Sequence, residues 1–196
     1  MREALDNFMN IFNKSMASGI LIGMGVIINA LTNNRALGAF LFSFALLTII
    51  QFKMPLFTGR VGFLKKHLPT ILFGNLIGVE ACIGLYYFAN PSFVNTLQHS
   101  AELKFAKSIP QMFFSGMLCG ILIHFAVKAK HCIITMMAIM IFILIGAEHC
   151  IAAFPYLGCC FNLINLIKFV MIILGNSVGA IYIEQILFGL GRNSYK

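Results

Sequence analysis

Apolar residues are gathered into six long runs, each close to the ~20 residues that a helix needs to cross a lipid bilayer. Short polar stretches separate the runs and leave no room for a soluble domain. The pattern therefore predicts an all-α integral membrane protein with six transmembrane helices. Pro, Gly or polar residues interrupt the second, fifth and sixth runs. The six runs lie at about 16–31, 36–57, 68–89, 109–127, 132–155 and 163–190.

The composition agrees with a membrane protein. Of 196 residues, 60% are hydrophobic and only 10% are charged, and the mean hydropathy is +0.91; soluble domains usually carry about 25% charged residues. The net charge of +8 does not indicate a nucleic-acid partner, because the basic residues lie at the ends of the apolar runs. The opening MREALDNFMNIFNKSMASG does not resemble a signal peptide, because acidic residues precede the apolar run.

The basic residues also predict the topology. With the N-terminus inside, the outer side carries only Arg35, Lys104, Lys107 and Lys168. The inner side carries Arg2, Lys14, Lys53, Arg60, Lys65, Lys66, Lys128, Lys130, Arg192 and Lys196. This bias predicts cytoplasmic N- and C-termini in a multi-pass protein of the cell (cytoplasmic) membrane. The predicted regions are a cytoplasmic N-terminal segment 1–15, a transmembrane channel domain 16–190 and a cytoplasmic tail 191–196.

Two short motifs occur twice in the chain. SGILIG at 18–23 resembles SGMLCG at 115–120, and GNLIG at 74–78 resembles GNSVG at 175–179. The pairs come in the same order and at nearly equal separations, which indicates a duplicated three-helix unit. Because three is an odd number, the second copy has to cross the membrane upside down relative to the first. The motifs therefore predict an inverted repeat.

The middle helix of each copy contains the strongest interruption. In repeat one, about 16–89, it lies at Pro55–Gly59, and in repeat two, about 105–190, at Gly146–Pro155. Proline removes a backbone donor and glycine permits unusual dihedrals. Non-helical backbone at membrane depth persists only where protein buries it or water reaches it. Both of these helices are therefore predicted to be broken beside a transport path.

Glu148 and His149 lie inside the second break, and ionisable residues within a span indicate function. Neighbours on a helix point about 100° apart, so we expect different roles for the two. Burial disfavours a charged imidazole, so we expect a neutral His149 that gives a hydrogen bond or a proton to a small anion. We expect Glu148 to face the scaffold and to accept backbone N–H groups that the break leaves free. The half-helix that restarts after the break is expected to direct its positive end at the same anion.

Six motifs, in this order, resemble those of the formate/nitrite transporter family: LFTGR (56–60), GNLIG (74–78), AELK (101–104), SGMLCGILI (115–123), GAEHCIAAF (146–154) and LGNSVGA (174–180). The resemblance covers nearly the whole chain, as a short member. It implies an aquaporin-like protomer of six helices, a homopentamer, and a path for small monovalent anions or their conjugate acids. Substrates of that family are formate, nitrite, hydrosulfide, acetate and lactate. The partners it implies are such an anion, protons and the lipid bilayer, without cofactor, metal or enzymatic activity.

The resemblance also implies roles for particular residues. His149 matches the central pore histidine, Thr58 the loop threonine that hydrogen-bonds toward it, and Lys104 the vestibule lysine that attracts anions. Asn75 and Asn176 match polar positions expected to hold the backbone of the broken helices. The two hydrophobic constrictions of the family fall at Phe42, Leu46, Leu56, Phe57 and Phe142.

Two positions depart from the pattern of the family, which leaves the substrate open. Ala153 and Gly120 each stand where that family commonly has an asparagine. Two polar groups near the predicted path are therefore absent.

Three other functions remain open from the sequence. A channel for small neutral solutes would share the inverted repeat, but the chain's only Asn-Pro, Asn90-Pro91, lacks the alanine of an aquaporin motif. A membrane enzyme using Glu148, His149 and a cysteine would need more polar groups at membrane depth. The cysteines show no CxxC spacing, so we expect no metal site. A non-conducting sensor or scaffold is the third alternative.

Overall fold

The computed structural model describes residues 2–63, 66–129 and 131–189. Within these residues the chain forms helices and turns and no β-strand. The helices are α1 (Arg2–Leu31), α2 (Arg35–Gln51), α3 (Phe57–Arg60), α4 (Leu68–Ala89), α5 (Phe93–Phe105), α6 (Ile109–Ala129), α7 (Cys132–Leu144), α8 (Cys150–Cys159) and α9 (Leu163–Glu184). The predicted tail 191–196 and four cations of the topology prediction lie outside the described residues: Lys65, Lys130, Arg192 and Lys196.

Four of these helices, α1, α4, α6 and α9, are long and apolar enough to cross a membrane. They and α2 turn large apolar side chains outward: Phe44, Phe88 and Phe114 are 65%, 83% and 62% exposed. Such side chains need an apolar environment, which lipid or a second copy of the chain provides. The second and fifth predicted spans each appear as two shorter helices, α2 with α3 and α7 with α8.

Both interruptions begin earlier than the sequence predicted. The non-helical segments are 52–56 and 145–149, so Gly59 lies inside α3 and Pro155 inside α8. Pro155 is the sixth residue of α8, where its missing N–H removes a single hydrogen bond of the helix. The sixth predicted span is not interrupted: α9 runs continuously through Gly175 and Asn176, and a π-helical turn follows at Gln185–Gly189.

The polar stretch between the third and fourth apolar runs contains a helix, α5, which the pattern of apolar runs did not predict. One face of α5 is buried through Phe93, Leu97, Ala101 and Phe105, which recur every four residues as on an amphipathic helix. That period is visible in the sequence, but the many polar residues between these positions concealed it. At the other end of the chain, the predicted segment 1–15 is helical from Arg2 and continuous with the rest of α1.

The duplicated glycine motifs mark two helix pairs that cross at backbone contact. A methyl group on Gly19 of α1 would collide with the Asn75 carbonyl of α4, and one on Gly120 of α6 with the Asn176 carbonyl of α9. Small residues permit this approach, which gives dense van der Waals packing between apolar helices. The backbone of α9 therefore leaves no room for a side chain at Gly120.

Gly120→Ala is expected to destabilise the protein by about 1–3 kcal/mol, because the methyl group would have to displace the rigid backbone of α9. Thermal unfolding in detergent measures the effect. Gly84→Ala on α4 is the control, since the methyl group that it adds has, among the described residues and apart from the adjacent backbone of α4, no heavy atom within 4 Å. Equal melting temperatures for the two variants would contradict the role given to the crossing.

Candidate functional site

The two breaks meet at a hydrogen bond between Thr58 and His149. Thr58 Oγ1 lies 2.9 Å from His149 Nε2, and both residues are buried. His149 is also the N-cap of α8, and its Nδ1 accepts the Ala152 backbone N–H at 3.2 Å. An imidazole nitrogen that accepts carries no hydrogen, so the ring hydrogen is on Nε2. His149 therefore donates to Thr58, and the Thr58 hydroxyl keeps its own hydrogen available.

The same geometry opposes protonation of the ring. A second hydrogen on His149 Nδ1 would face the Ala152 N–H, and two donors cannot bond to each other. An imidazolium would therefore have to give up the N-cap of α8. The arrangement holds His149 as a neutral hydrogen-bond donor.

Asn75 of α4 secures the first break with three hydrogen bonds. Its Oδ1 accepts the Phe57 N–H at 2.8 Å, at the start of α3. Its Nδ2 donates to the carbonyl of Pro55 at 3.0 Å, inside the break, and to that of Ser15 in α1 at 2.8 Å. The buried Asn75 amide thus pairs with the first N–H of α3 and with the Pro55 carbonyl, two backbone groups that the break leaves without partners within a helix.

Asn176 of α9 makes the corresponding three bonds at the second break. Its Oδ1 accepts the Cys150 N–H at 2.8 Å, and its Nδ2 donates to the carbonyls of Glu148 at 2.7 Å and of Gly116 in α6 at 2.8 Å. Here the break is secured by Asn176 and not by the Glu148 side chain, which corrects the expectation for that carboxylate. Asn176 and the His149 ring also occupy the Cys150 and Ala152 amides, so these are not directed at an anion.

The Glu148 carboxylate instead pairs with two lysines. Lys104 Nζ bonds to Oε2, and Lys107 Nζ lies 2.7 Å from Oε1. Lys107 also donates to the Gly146 carbonyl at 2.8 Å, and Lys104 lies 5.1 Å from the centre of the Tyr156 ring. Glu148 is only 2% exposed, so this pairing compensates a charge that burial would otherwise penalise strongly.

Two cavities adjoin the site and share no lining residue. The first, of about 120 Å³, is lined by His149, Lys104, Asn29 and Tyr156 among others, and we name it the Lys104 cavity. It is about ten times the ~10–15 Å³ that one water requires. The second, the Arg60 cavity, has about 650 Å³ and is lined by the cations Lys53, Arg60 and Lys128 together with apolar side chains.

The predicted constriction residues divide between these cavities. Phe42 and Phe142 line the Lys104 cavity, and their ring centroids lie 6.1 Å apart, edge to face. Leu46 and Leu56 line the Arg60 cavity, whereas Phe57 lines neither. Phe42 and Leu46 are one turn, or about 6 Å, apart on α2. One turn of α2 therefore contributes a lining residue to each cavity.

Sequence reasoning missed Lys107 and Asn29. Lys107 was counted only as a charge for topology, and no spacing in the sequence connects it to Glu148, 41 residues further on. Asn29 carried a usable signal, since it is a polar residue inside the apolar run of α1, as Glu148 and His149 are in theirs.

Apolar helices long enough to cross a membrane, two broken helices and a buried polar contact where the breaks meet are typical of a membrane transport protein. A family model described as formate/nitrite transporter matches residues 1–189, and the chain belongs to that family. The resemblance seen in the sequence is thus confirmed, and the chain is a multi-pass membrane protein.

Two solved structures share the fold. One, described as a pentameric formate channel with formate bound, has a TM-score of 0.78 at 20% identity and covers 95% of this chain and 98% of that one. The other, described as an FNT family ion channel, has a TM-score of 0.78 at 21% identity and covers 97% of this chain and 92% of that one. A search of curated proteins found no match. Both structural neighbours are channels, and at these identities the likeness establishes the fold.

Proposed function

We propose that this protein is a channel or transporter for small monovalent anions or their conjugate acids, of the formate, nitrite, hydrosulfide, acetate or lactate class. The observation that carries the proposal is the Thr58–His149 hydrogen bond, a buried polar contact between two cavities that each contain lysine. Membership of the formate/nitrite transporter family supports it. A channel for small neutral solutes is less favoured, because a neutral solute gains no electrostatic attraction from the cationic side chains that line both cavities.

The proposed architecture is an inverted repeat of three spans, with α2–α3 and α7–α8 as the broken middle helices. The matching bonds of Asn75 and Asn176 support this symmetry.

We also propose a homopentamer, in line with the pentameric formate channel that shares the fold. The positive-inside bias supports cytoplasmic termini in the cell membrane, which places the Lys104 cavity outside and the Arg60 cavity inside. We propose the same three regions as the sequence predicts: a cytoplasmic segment 1–15, a transmembrane domain 16–190 and a cytoplasmic tail 191–196.

Permeation is proposed to begin with attraction of the anion to Lys104. A bare anion between Phe42 and Phe142 would lose several kcal/mol of hydration, whereas the neutral acid would lose far less. A hydronium ion that enters the cavity from the solution supplies the proton and becomes water, because proton transfer from His149 would require an imidazolium that breaks the cap of α8. The Thr58 hydroxyl, oriented by His149, gives the hydrogen bond that the permeating species meets midway. Beyond it, the acid releases its proton in the Arg60 cavity.

A panel of anions on reconstituted protein tests the function. Proteoliposomes should take up formate, nitrite, hydrosulfide, acetate or lactate faster than protein-free vesicles, and faster at the lower of two pH values, because more acid is then present. Glycerol-induced swelling should stay at the protein-free level. Rapid glycerol entry would favour a neutral-solute channel, and a lack of flux for every anion would favour a sensor or scaffold.

A further inference from the structure

The Lys104 cavity adjoins a cluster of three charged groups, Lys104, Lys107 and Glu148, which pair with one another. A lysine paired with a single glutamate is neutral as a unit and attracts an anion weakly. The second lysine changes this balance, because two positive charges and one negative charge leave a net charge of +1. The net positive charge beside the Lys104 cavity thus depends on Lys107 as much as on Lys104.

The two lysines occupy different positions in the cluster. Lys104 lines the cavity beside Tyr156, whereas Lys107 does not line it and is held at the break through the Gly146 carbonyl. Each lysine takes one oxygen of the Glu148 carboxylate. Lys107 therefore compensates Glu148 from outside the cavity lining, and Lys104 presents its charge to the cavity.

We propose that Lys107 is a positioning residue that sets the affinity of the Lys104 cavity for monovalent anions, because by sharing Glu148 it leaves the Lys104 charge available to the anion. The inference rests on the proposed function and extends it to a residue that does not line the path. Two other cations on the predicted outer side bond to backbone carbonyls and not to Glu148: Arg35 bonds to Leu144, and Lys168 bonds to Phe105.

The test is Lys107→Gln in the full-length reconstituted protein, with formate as the probe. Glutamine keeps an N–H donor for the Gly146 carbonyl but removes the charge. The half-saturating formate concentration should rise about five- to tenfold at low ionic strength, and the maximal rate should change less than twofold. The rise should shrink as salt is added, since salt screens partly exposed charges.

Neutralising the partner should act in the opposite direction. Glu148→Gln raises the net charge to +2 and should lower the half-saturating concentration. The double variant Lys107→Gln/Glu148→Gln lacks the carboxylate that Lys107 compensates, so adding Lys107→Gln to Glu148→Gln should raise the half-saturating concentration far less than about fivefold, a coupling that a merely structural role would not produce. This arm also keeps the inference testable when Lys107→Gln alone does not assemble.

Lys168→Gln is the matched control, because it removes a lysine bonded to a backbone carbonyl outside the cluster, and it should leave the half-saturating concentration unchanged. An unaltered half-saturation and salt dependence in Lys107→Gln would overturn the inference, and so would a double variant that behaves as the simple sum of the two single ones. Failure of the proposed function is a separate result, since the wild type itself would then carry no formate.

Discussion

His149→Phe is expected to lower anion flux roughly 10- to 100-fold, because a hydrogen bond to a charged or strongly polar group contributes about 1.5–3 kcal/mol. Phenylalanine keeps a ring against Phe142, whose centroid lies 6.1 Å from that of His149, so packing changes little. The Thr58 hydroxyl loses the donor that orients it. Stopped-flow uptake into proteoliposomes, with equal amounts of assembled protein, measures the loss.

A second pair of variants separates a hydrogen-bond donor from a proton donor. His149→Gln keeps an N–H donor but cannot be protonated, so it should retain more flux than His149→Phe and keep the pH profile of the wild type. Thr58→Ser should retain flux and Thr58→Val should lose it. Should His149→Gln be as inactive as His149→Phe, His149 would act as the proton donor after all. Wild-type flux in His149→Phe would remove this residue from the path.

The sequence could predict those parts of the fold that depend on runs and short motifs. Six apolar runs predicted the long helices, and the repeated Ser-Gly and Gly-Asn motifs predicted a duplicated unit. In the structure these motifs lie where α1 crosses α4 and α6 crosses α9, because small residues are needed wherever two backbones touch. The ends of the breaks could not be predicted. Pro155 and Gly59 suggested non-helical backbone, whereas the bonds that Asn75 and Asn176 provide let α3 and α8 begin before those residues.

The site was predictable in most of its members, though not in Lys107 and Asn29, and it was not predictable in its pairings. An ionisable dipeptide in an apolar run pointed to Glu148 and His149 on physical grounds alone. The partners of Glu148 could not be deduced, because Lys104 and Lys107 approach it only through the packing of α5 against α8. Nor could the tautomer of His149 be read from the sequence, since it depends on the Ala152 amide at the start of α8.

The largest effect on stability is expected for Asn176→Leu. Leucine has a similar size but no polar group, so the Cys150 N–H and the Glu148 carbonyl would be left buried without their partner, whereas the Gly116 carbonyl would keep its hydrogen bond within α6. Each unpaired group costs about 1–3 kcal/mol, and a loss of roughly 2–6 kcal/mol is a large part of the stability of many proteins. Size-exclusion chromatography in detergent should show little assembled protein, and any that remains should melt at a much lower temperature.

Ser177→Ala is the matched control, because this neighbouring hydroxyl bonds, within the described part of the chain, to the Ile173 carbonyl of its own helix alone, at 2.8 Å. Its removal should change the melting temperature little. Asn75→Leu removes the same set of bonds at the first break and should cost a similar amount. A wild-type melting curve for Asn176→Leu would show that the break is held by other contacts. An inverted repeat implies that the two asparagines contribute similar stability. A large fall in melting temperature for one of these variants and a small fall for the other would argue against that equivalence.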